Sequence, residues 1–298
     1  MSEVPVASVI IPVLNGEATL GNLLGALKVQ AGVPGRLEIM VVDNGSADRT
    51  GEIACSHGAV LLHQPVRGPS AARNLGLARA QGEIILCTDS DTIPTRRWAA
   101  SLLAALTDPE VILATGPIYG WQPVTGAERF ASAHKGYTRE WSAEHPFCQF
   151  AHGMNVAVRR QTALEIGGWN EAMTSGEDVD FSIRLRRQYG KPIRFVDQAI
   201  LFHKHRGTDE ALWRQARWHG AGHAMVCRRH ADVLPWFGRQ LGIGLARIAV
   251  AHAAVPLVAL GRVTHLFSEE QAEFERYYRC WLRHFWGGFI EQWRKSPA

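Results

Sequence analysis

The chain has 298 residues, 46% of them apolar and 20% charged, with a formal net charge of +4; that length buries a full core, either in one large α/β domain with an appendage or in two modest domains. Its five cysteines are odd in number and form no C-x-x-C pair, which excludes a disulfide framework and a structural zinc site and suits a reducing, cytosolic compartment. The charge is uneven: residues 1–203 carry 18 Lys and Arg against 20 Asp and Glu, and residues 204–298 carry 14 against 8, so the basic character is C-terminal.

The first half alternates strand and helix signals with short turns between them, the pattern of a mostly parallel α/β sheet flanked by helices. Residues 9–13 read as the first strand, with no basic segment ahead of it, and 17–31 as a helix carrying Leu20, Leu23, Leu24 and Leu27 at helical spacing. A second strand spans 37–42 and ends at Asp43; Asn44-Gly45-Ser46 turns the chain, and Ser46 or Asp48 caps a helix to about Ser56. Residues 59–63 form a third strand, Ser70 caps a helix running to Ala80, Gly82 stops it, and 84–88 is the fourth strand. The four strands deliver Val13 to Asn15, Asp43, the 64–68 loop and Asp89-Ser90-Asp91 to one edge, where ligands collect in open α/β sheets.

Farther along, helices are predicted at 95–106, 125–143, 178–188 and 209–229, and strands at 111–116, 151–158, 192–196 and 199–202. The segment 240–260 approaches the ~20 residues of a membrane span. Arg247, His252 and Pro256 interrupt it, and a central Arg costs roughly 2.5–3.5 kcal/mol on insertion, so it reads as a buried or interfacial helix. The last helix, 269–293, sets Phe274, Tyr277, Tyr278, Trp281, Phe285 and Phe289 on one stripe. These aromatics and the basic excess suit an anionic membrane surface, and equally a solvated face or helix packing.

Asp89 and Asp91 put two carboxylates at a strand end with nothing basic beside them in sequence. Hard cations favour such oxygens, and Mg²⁺ binds one or two carboxylates plus substrate phosphates; an acidic turn is the alternative. Neither G-x-G-x-x-G after the first strand nor G-x-x-x-x-G-K-[ST] is present, so a nucleotide's phosphates call for a cation that neutralises charge on the leaving group. Asp43 suits a base or ribose, or simply its turn; Arg73 suits a base or phosphate, or solvent. Glu177-Asp178 opens a helix after Gly176, where the dipole favours ionised carboxylate, so the pair reads as a general base or as capping residues. His203 and His205 alternate at a strand end and supplement Asp91 on one metal, rather than forming a His-built site.

These elements in this order resemble the family 2 glycosyltransferases, whose fold is the GT-A, or nucleotide-diphospho-sugar transferase, fold. The matching stretches are VIIPVLNGEATL at 9–20, VVDNGSADRT at 41–50, GPSAARNLGLARAQGEIILCTDSD at 68–91, GMNVAVRRQTALEIGGWNE at 153–171 and GEDVDFSIRL at 176–185. The resemblance implies that Asp43 and Arg73 hold the nucleotide base and that Pro12 and Asn15 line its pocket. By the same likeness Asp89 and Ser90 contact the donor, with Asp89 on the ribose and metal side, and Asp91 ligates Mg²⁺ or Mn²⁺ on the diphosphate. His203 or His205 completes that site, and Asp178, beside Glu177, deprotonates the acceptor hydroxyl for a single displacement with inversion. Gly168, Trp169, Asn170 and Glu171 flank the sugar and acceptor; many relatives have Asp where this chain has Asn170.

Processive synthases of the same superfamily carry Q-x-x-R-W, and here Arg214 stands where its first Gln belongs, ahead of Arg217 and Trp218. That departure favours transfer of a single sugar; Arg217 and Trp218 contact the acceptor or pack a helix. The resemblance thus implies a GT-A catalytic domain over 1–205, with a donor half at 1–92 and an acceptor half at 93–205, followed by a C-terminal helical extension over 206–298. The activity it implies is metal-dependent, inverting transfer from a nucleoside-diphosphate sugar to a hydroxyl of a glycan or lipid-linked acceptor. The expected place is cytoplasmic, peripheral to the inner face of the membrane through 236–260 and 269–293, with no nucleic-acid partner. Two alternatives are a sugar nucleotidyltransferase and a non-catalytic glycan- or membrane-binding relative. The first lacks its Gly-rich basic loop at Pro12 to Gly16, and the second has no use for Asp43, Asp89, Asp91 and Asp178 together.

Overall fold

A computed structural model describes residues 4–134, 139, 142, 148–234, 237–253, 255–256 and 268–295. The elements run β1 (Ala7–Val13), α1 (Leu20–Lys28), β2 (Leu37–Asp43), α2 (Thr50–Ser56), β3 (Val60–His63), α3 (Pro69–Arg79) and β4 (Ile84–Cys87). There follow β5 (Thr92–Pro94), α4 (Trp98–Ala105), β6 (Leu113–Thr115), β7 (Ile118–Gly120), α5 (Gly126–Ala133), β8 (Val156–Arg159), α6 (Arg160–Glu165) and α7 (Glu177–Tyr189). The chain continues through β9 (Ile193–Phe195), β10 (Leu201–His203), α8 (Asp209–Arg229), α9 (Phe237–Ala253) and α10 (Glu269–Lys295). They form two compact units: one from described residues of 1–121, 135–172 and 177–204, the other from those of 122–134, 173–176 and 205–298.

In the first unit a seven-stranded sheet has the order β3-β2-β1-β4-β8-β6-β9, and a three-stranded sheet the order β5-β10-β7. β1 lies parallel to β2 and β4, β2 parallel to β3, and β8 antiparallel to β4 and β6. The register sets Val13 opposite Asp43, Asp43 opposite His63 and Ile10 opposite Cys87, so the four parallel strands end side by side. Alternation along β1 supplies both faces of the sheet. Val9, Ile11 and Val13 pack with the buried leucines of α1 and with Trp98 and Leu102 of α4, whereas Ile10 packs with Ala72 and Leu77 of α3 and Phe181 and Leu185 of α7. Leu20, Leu23, Leu24 and Leu27 are all buried, each contributing ~1.5–3 kcal/mol relative to exposure.

Several sequence expectations change. α3 begins at Pro69 with Gly68 outside it, so Ser70 lies within the first turn rather than capping it; proline's fixed φ suits that position. β8 spans 156–159 where a strand is expected at 151–158, and α5 ends at Ala133, while most of 135–147 lies outside the described residues. β5, β7 and α6 were not foreseen, being three to six residues long.

In the second unit Thr125 and Glu128 form a reciprocal capping box at the start of α5. The aromatic stripe of α10 turns onto its neighbours: Phe130 of α5 lies 5.1 Å from Phe274 and 5.7 Å from Tyr277, and Trp213 of α8 lies 5.6 Å from Tyr277, ring centre to ring centre. Phe289 is fully buried. The stripe of 269–293 thus takes part in helix packing, the alternative to a membrane surface. Among the described residues no helix is long and apolar enough to cross a membrane.

Candidate active site

The turn after β4 is braced from within. Thr88 and Thr92 share a 2.7 Å hydroxyl contact, and Thr92 Oγ1 donates to the Asp89 carbonyl at 2.7 Å. Pairing of β5 with β10 places Thr92 opposite His203, and the Lys204 amide donates to the Asp91 carbonyl at 2.9 Å. Asp91 Oδ1 and the buried His203 Nε2 are therefore 3.4 Å apart. β10 stops at His203, so the alternation expected to carry His205 to the same side does not reach it, and His205 belongs to the second unit. Ser90 is half-buried in the turn.

One turn into α3, Arg73 is only 3% exposed. Its Nη2 donates to Asp89 Oδ1 at 3.1 Å and its Nη1 to Glu177 Oε1 at 2.8 Å. A basic partner for Asp89 is thus supplied by the fold, although none stands beside it in sequence. Asp178, in the first turn of α7, accepts from the Gly153 amide at 3.1 Å on Oδ2 and from the Val179 amide at 2.8 Å on Oδ1. Burial raises the Asp178 carboxyl above its ordinary value, against the Gly153 N–H and Arg73. Burial likewise raises Glu177 and Asp89, each opposed by Arg73. Burial works against the charge on Arg73, yet the carboxylates of Asp89 and Glu177 outweigh it and hold the guanidinium firmly protonated. A carboxylate held by two backbone amides, with its proton affinity raised, has the properties of a general base.

The ends of β1 and β2 make a second, more open wall. Asp43 is buried; its Oδ1 accepts from the Ser46 amide at 2.9 Å and its Oδ2 lies 3.5 Å from His63 Nδ1. Asn15, at φ 53°, donates its amide to Ser46 Oγ at 2.8 Å and accepts the Ala47 amide at 2.9 Å. Pro12 is half-buried on β1 opposite Val42. Asn44 donates to the carbonyls of Gln64 at 2.9 Å and Val66 at 2.7 Å and accepts the Gly68 amide at 2.7 Å, fixing the loop that leads into α3.

The residues expected to flank an acceptor are arranged differently. Trp169 is 2% exposed and stacks on Phe181 at 4.3 Å with a 7° interplanar angle, so its indole is a core side chain rather than a pocket wall. Gly168 has φ 69°, and a Cβ there would stand 2.3 Å from Asn74 Oδ1. Asn170 accepts the Ala172 amide at 3.1 Å in a turn, and Glu171 accepts from Asn74 Nδ2 at 2.8 Å. On α8 of the second unit Arg217 pairs with Glu291, and Trp218, 42% exposed, stands beside His219.

The profile of "Glycosyl transferase family 2" matches residues 8–167, more than half of the chain. The chain belongs to that family. The Pre-mycofactocin glycosyltransferase of Mycobacterium tuberculosis is 31% identical over 268 residues, 83% of this chain and 55% of the relative, so the chain spans about half the length of that protein. The glycosyltransferase AglE of Haloferax volcanii is 30% identical over 224 residues, 72% of each chain. Among solved structures, the mannosyltransferase PcManGT of Pyrobaculum calidifontis, in complex with GDP-Man and Mn²⁺, superposes with a TM-score of 0.69 at 18% identity over 98% of this chain and 88% of that one. Glucosyl-3-phosphoglycerate synthase of M. tuberculosis, with Mn²⁺, UDP and glucosyl-3-phosphoglycerate, gives 0.55 at 23% identity over 76% and 80%. At these identities the likeness is one of fold, and the fold is of GT-A type.

In this family 2 chain the matched segment ends at residue 167, short of Glu177 and Asp178, which the fold brings to the same edge. Among the described residues no three His, Cys, Asp or Glu side chains converge as a metal-ligand set. The Asp91–His203 pair still fits one hard cation, because Mg²⁺ takes few protein ligands and completes its shell with phosphate oxygens and water. Sequence reasoning missed Asn44, Asn74 and Gly153. All three stand inside the matching stretches, yet their partners lie 20 or more residues away and no local pattern announces them.

Proposed function

We propose that this chain is an inverting glycosyltransferase that moves one sugar from a nucleoside-diphosphate sugar to an acceptor hydroxyl. The observation that carries the reading is the convergence of Asp89 and Glu177 on Arg73, at 3.1 and 2.8 Å, at the carboxyl ends of the parallel strands, with Asp178 next to Glu177 and held by the Gly153 amide at 3.1 Å, and with Asp91 and His203 on the adjoining turn. Asp178 takes the proton of the acceptor hydroxyl as its oxygen bonds to the anomeric carbon. The bond from that carbon to the diphosphate breaks, its electron pair leaves with the diphosphate, and the configuration inverts. Asp91 and His203, with Asp89 beside them, hold Mg²⁺ or Mn²⁺, which when bound neutralises charge on the leaving diphosphate. Asp43, Asn15, Pro12 and Ser90 form the nucleotide side. GDP-Man and UDP in the similar structures support a nucleoside diphosphate as the donor's leaving group.

The acceptor in this reading is a glycan or lipid-linked hydroxyl presented at an anionic membrane surface. Ile243, Leu245 and Val250 are exposed on α9 together with Arg247, and residues 204–298 carry 14 basic against 8 acidic side chains; exposed apolar and basic side chains on one helix suit the boundary between lipid headgroups and acyl chains. The donor assignment is tested by thermal shift with UDP and GDP in Mn²⁺, since a ligand that binds only the folded state raises its apparent stability. One of the two should raise Tm in wild type, and Asp91→Asn or EDTA should abolish the shift. An equal shift in Asp91→Asn and in EDTA would remove the metal from this account.

A further inference from the structure

We infer that Arg73 and Asn74 are positioning residues that make α3 the link between the donor end and the base end of the site. Arg73 reaches one carboxylate 16 residues away and another 104 residues away, Asp89 and Glu177, with the two arms of one guanidinium. Its next neighbour, Asn74, accepts the Trp169 amide at 2.8 Å and donates to the Trp169 carbonyl and the Glu171 carboxylate, each at 2.8 Å. Two consecutive helical residues therefore tie the turn after β4, the first turn of α7 and the 168–171 loop to one rigid element.

Gly153 completes the arrangement. Its amide holds Asp178, and a Cβ on it would lie 3.0 Å from Arg73 Nη2 and 3.1 Å from Cζ. The guanidinium occupies the space a side chain would need, so the position of Arg73 and that of the Asp178 carboxylate are set by the same backbone. Both terminal nitrogens of Arg73 are committed to carboxylates, and the buried Nε has no hydrogen-bond partner among the described residues. That geometry departs from the base-contact role the resemblance implied. A planar fork bridges two carboxylates; an ammonium is a point charge that satisfies one of them well.

The inference rests on Asp178 as the base, and its test separates the two. Arg73→Lys and Gly153→Ala are compared with wild type in saturating turnover, in calorimetric titration with UDP and GDP in Mn²⁺, and in amide hydrogen exchange. Turnover should fall ~10- to 100-fold in Arg73→Lys and by a smaller factor in Gly153→Ala, the scale expected of a small misplacement of reacting groups. Nucleotide affinity should stay within about threefold, and protection at residues 153 and 177–180 should drop. Arg73→Lys that loses nucleotide affinity tenfold while keeping its saturated turnover would overturn the inference and make Arg73 a ligand contact. Wild-type turnover in both variants would overturn it as well. Should Arg73→Lys fail to fold, Gly153→Ala decides alone. Should wild type bind neither nucleotide and transfer no sugar, the glycosyltransferase reading falls, and unchanged exchange at 153 and 177–180 in the variants would separately overturn the positioning role.

Discussion

At the scale of single residues, the site is a set of carboxylates whose proton affinities are raised by burial and held in check by one guanidinium. With Asp178 as the proposed base, a carboxyl raised above its ordinary value stays protonated to higher pH, and a protonated base is inactive, so turnover should rise as pH climbs through the raised value. The kcat profile between about pH 4 and 9 should show an acidic limb above the ordinary aspartate range; a limb at or below that range would contradict the raised assignment. Trp169 makes the opposite case. The resemblance implies that it flanks the sugar and acceptor, whereas its stack on Phe181 makes it a core residue. Trp169→Ala should cost ~3–5 kcal/mol in denaturant unfolding, as large-to-small core changes do, and a loss under about 1 kcal/mol would return it to the surface. The positions of Asp89, Asp91 and Asp178, at a strand end or a helix start, were legible from local signals. The Arg73 partnership was not, since Glu177 lies 104 residues away and nothing near Arg73 in sequence marks it.

At the scale of elements, periodicity was legible wherever an element was long enough to repeat. The alternation of β1 and the leucines of α1 identify both, and α8 spans the helix expected at 209–229. β5 and β7 have three residues each, too few for a period of two to show, and it is these strands and β10 that bring Asp91 against His203. The stripe of α10 declares an apolar face without declaring what covers it; in the structure its rings meet α5 and α8. Phe289→Ala should therefore lower stability by ~3–5 kcal/mol in thermal or denaturant unfolding. On α9 the reverse holds for Leu245→Ala, at an exposed position, which should stay within ~0.5 kcal/mol.

At the scale of the whole molecule, the acidic-to-basic shift along the chain accompanies the division into a first unit that holds the carboxylate site and a helical second unit that is basic and partly apolar. If α9 serves an anionic surface, flotation with phosphatidylserine vesicles should recover the protein at low salt and lose it as salt screens the charge. Recovery of all the protein in the unbound fraction at low salt would confine the membrane clause to history. The central claim concerns the first unit. Its most direct test is saturated sugar transfer by Asp178→Asn, measured beside the nucleoside-diphosphate affinity of the same variant. Turnover should fall at least ~100-fold, in keeping with the 10²–10⁴ a positioned general base contributes, with nucleotide affinity preserved; near-wild-type turnover would contradict Asp178 as the base.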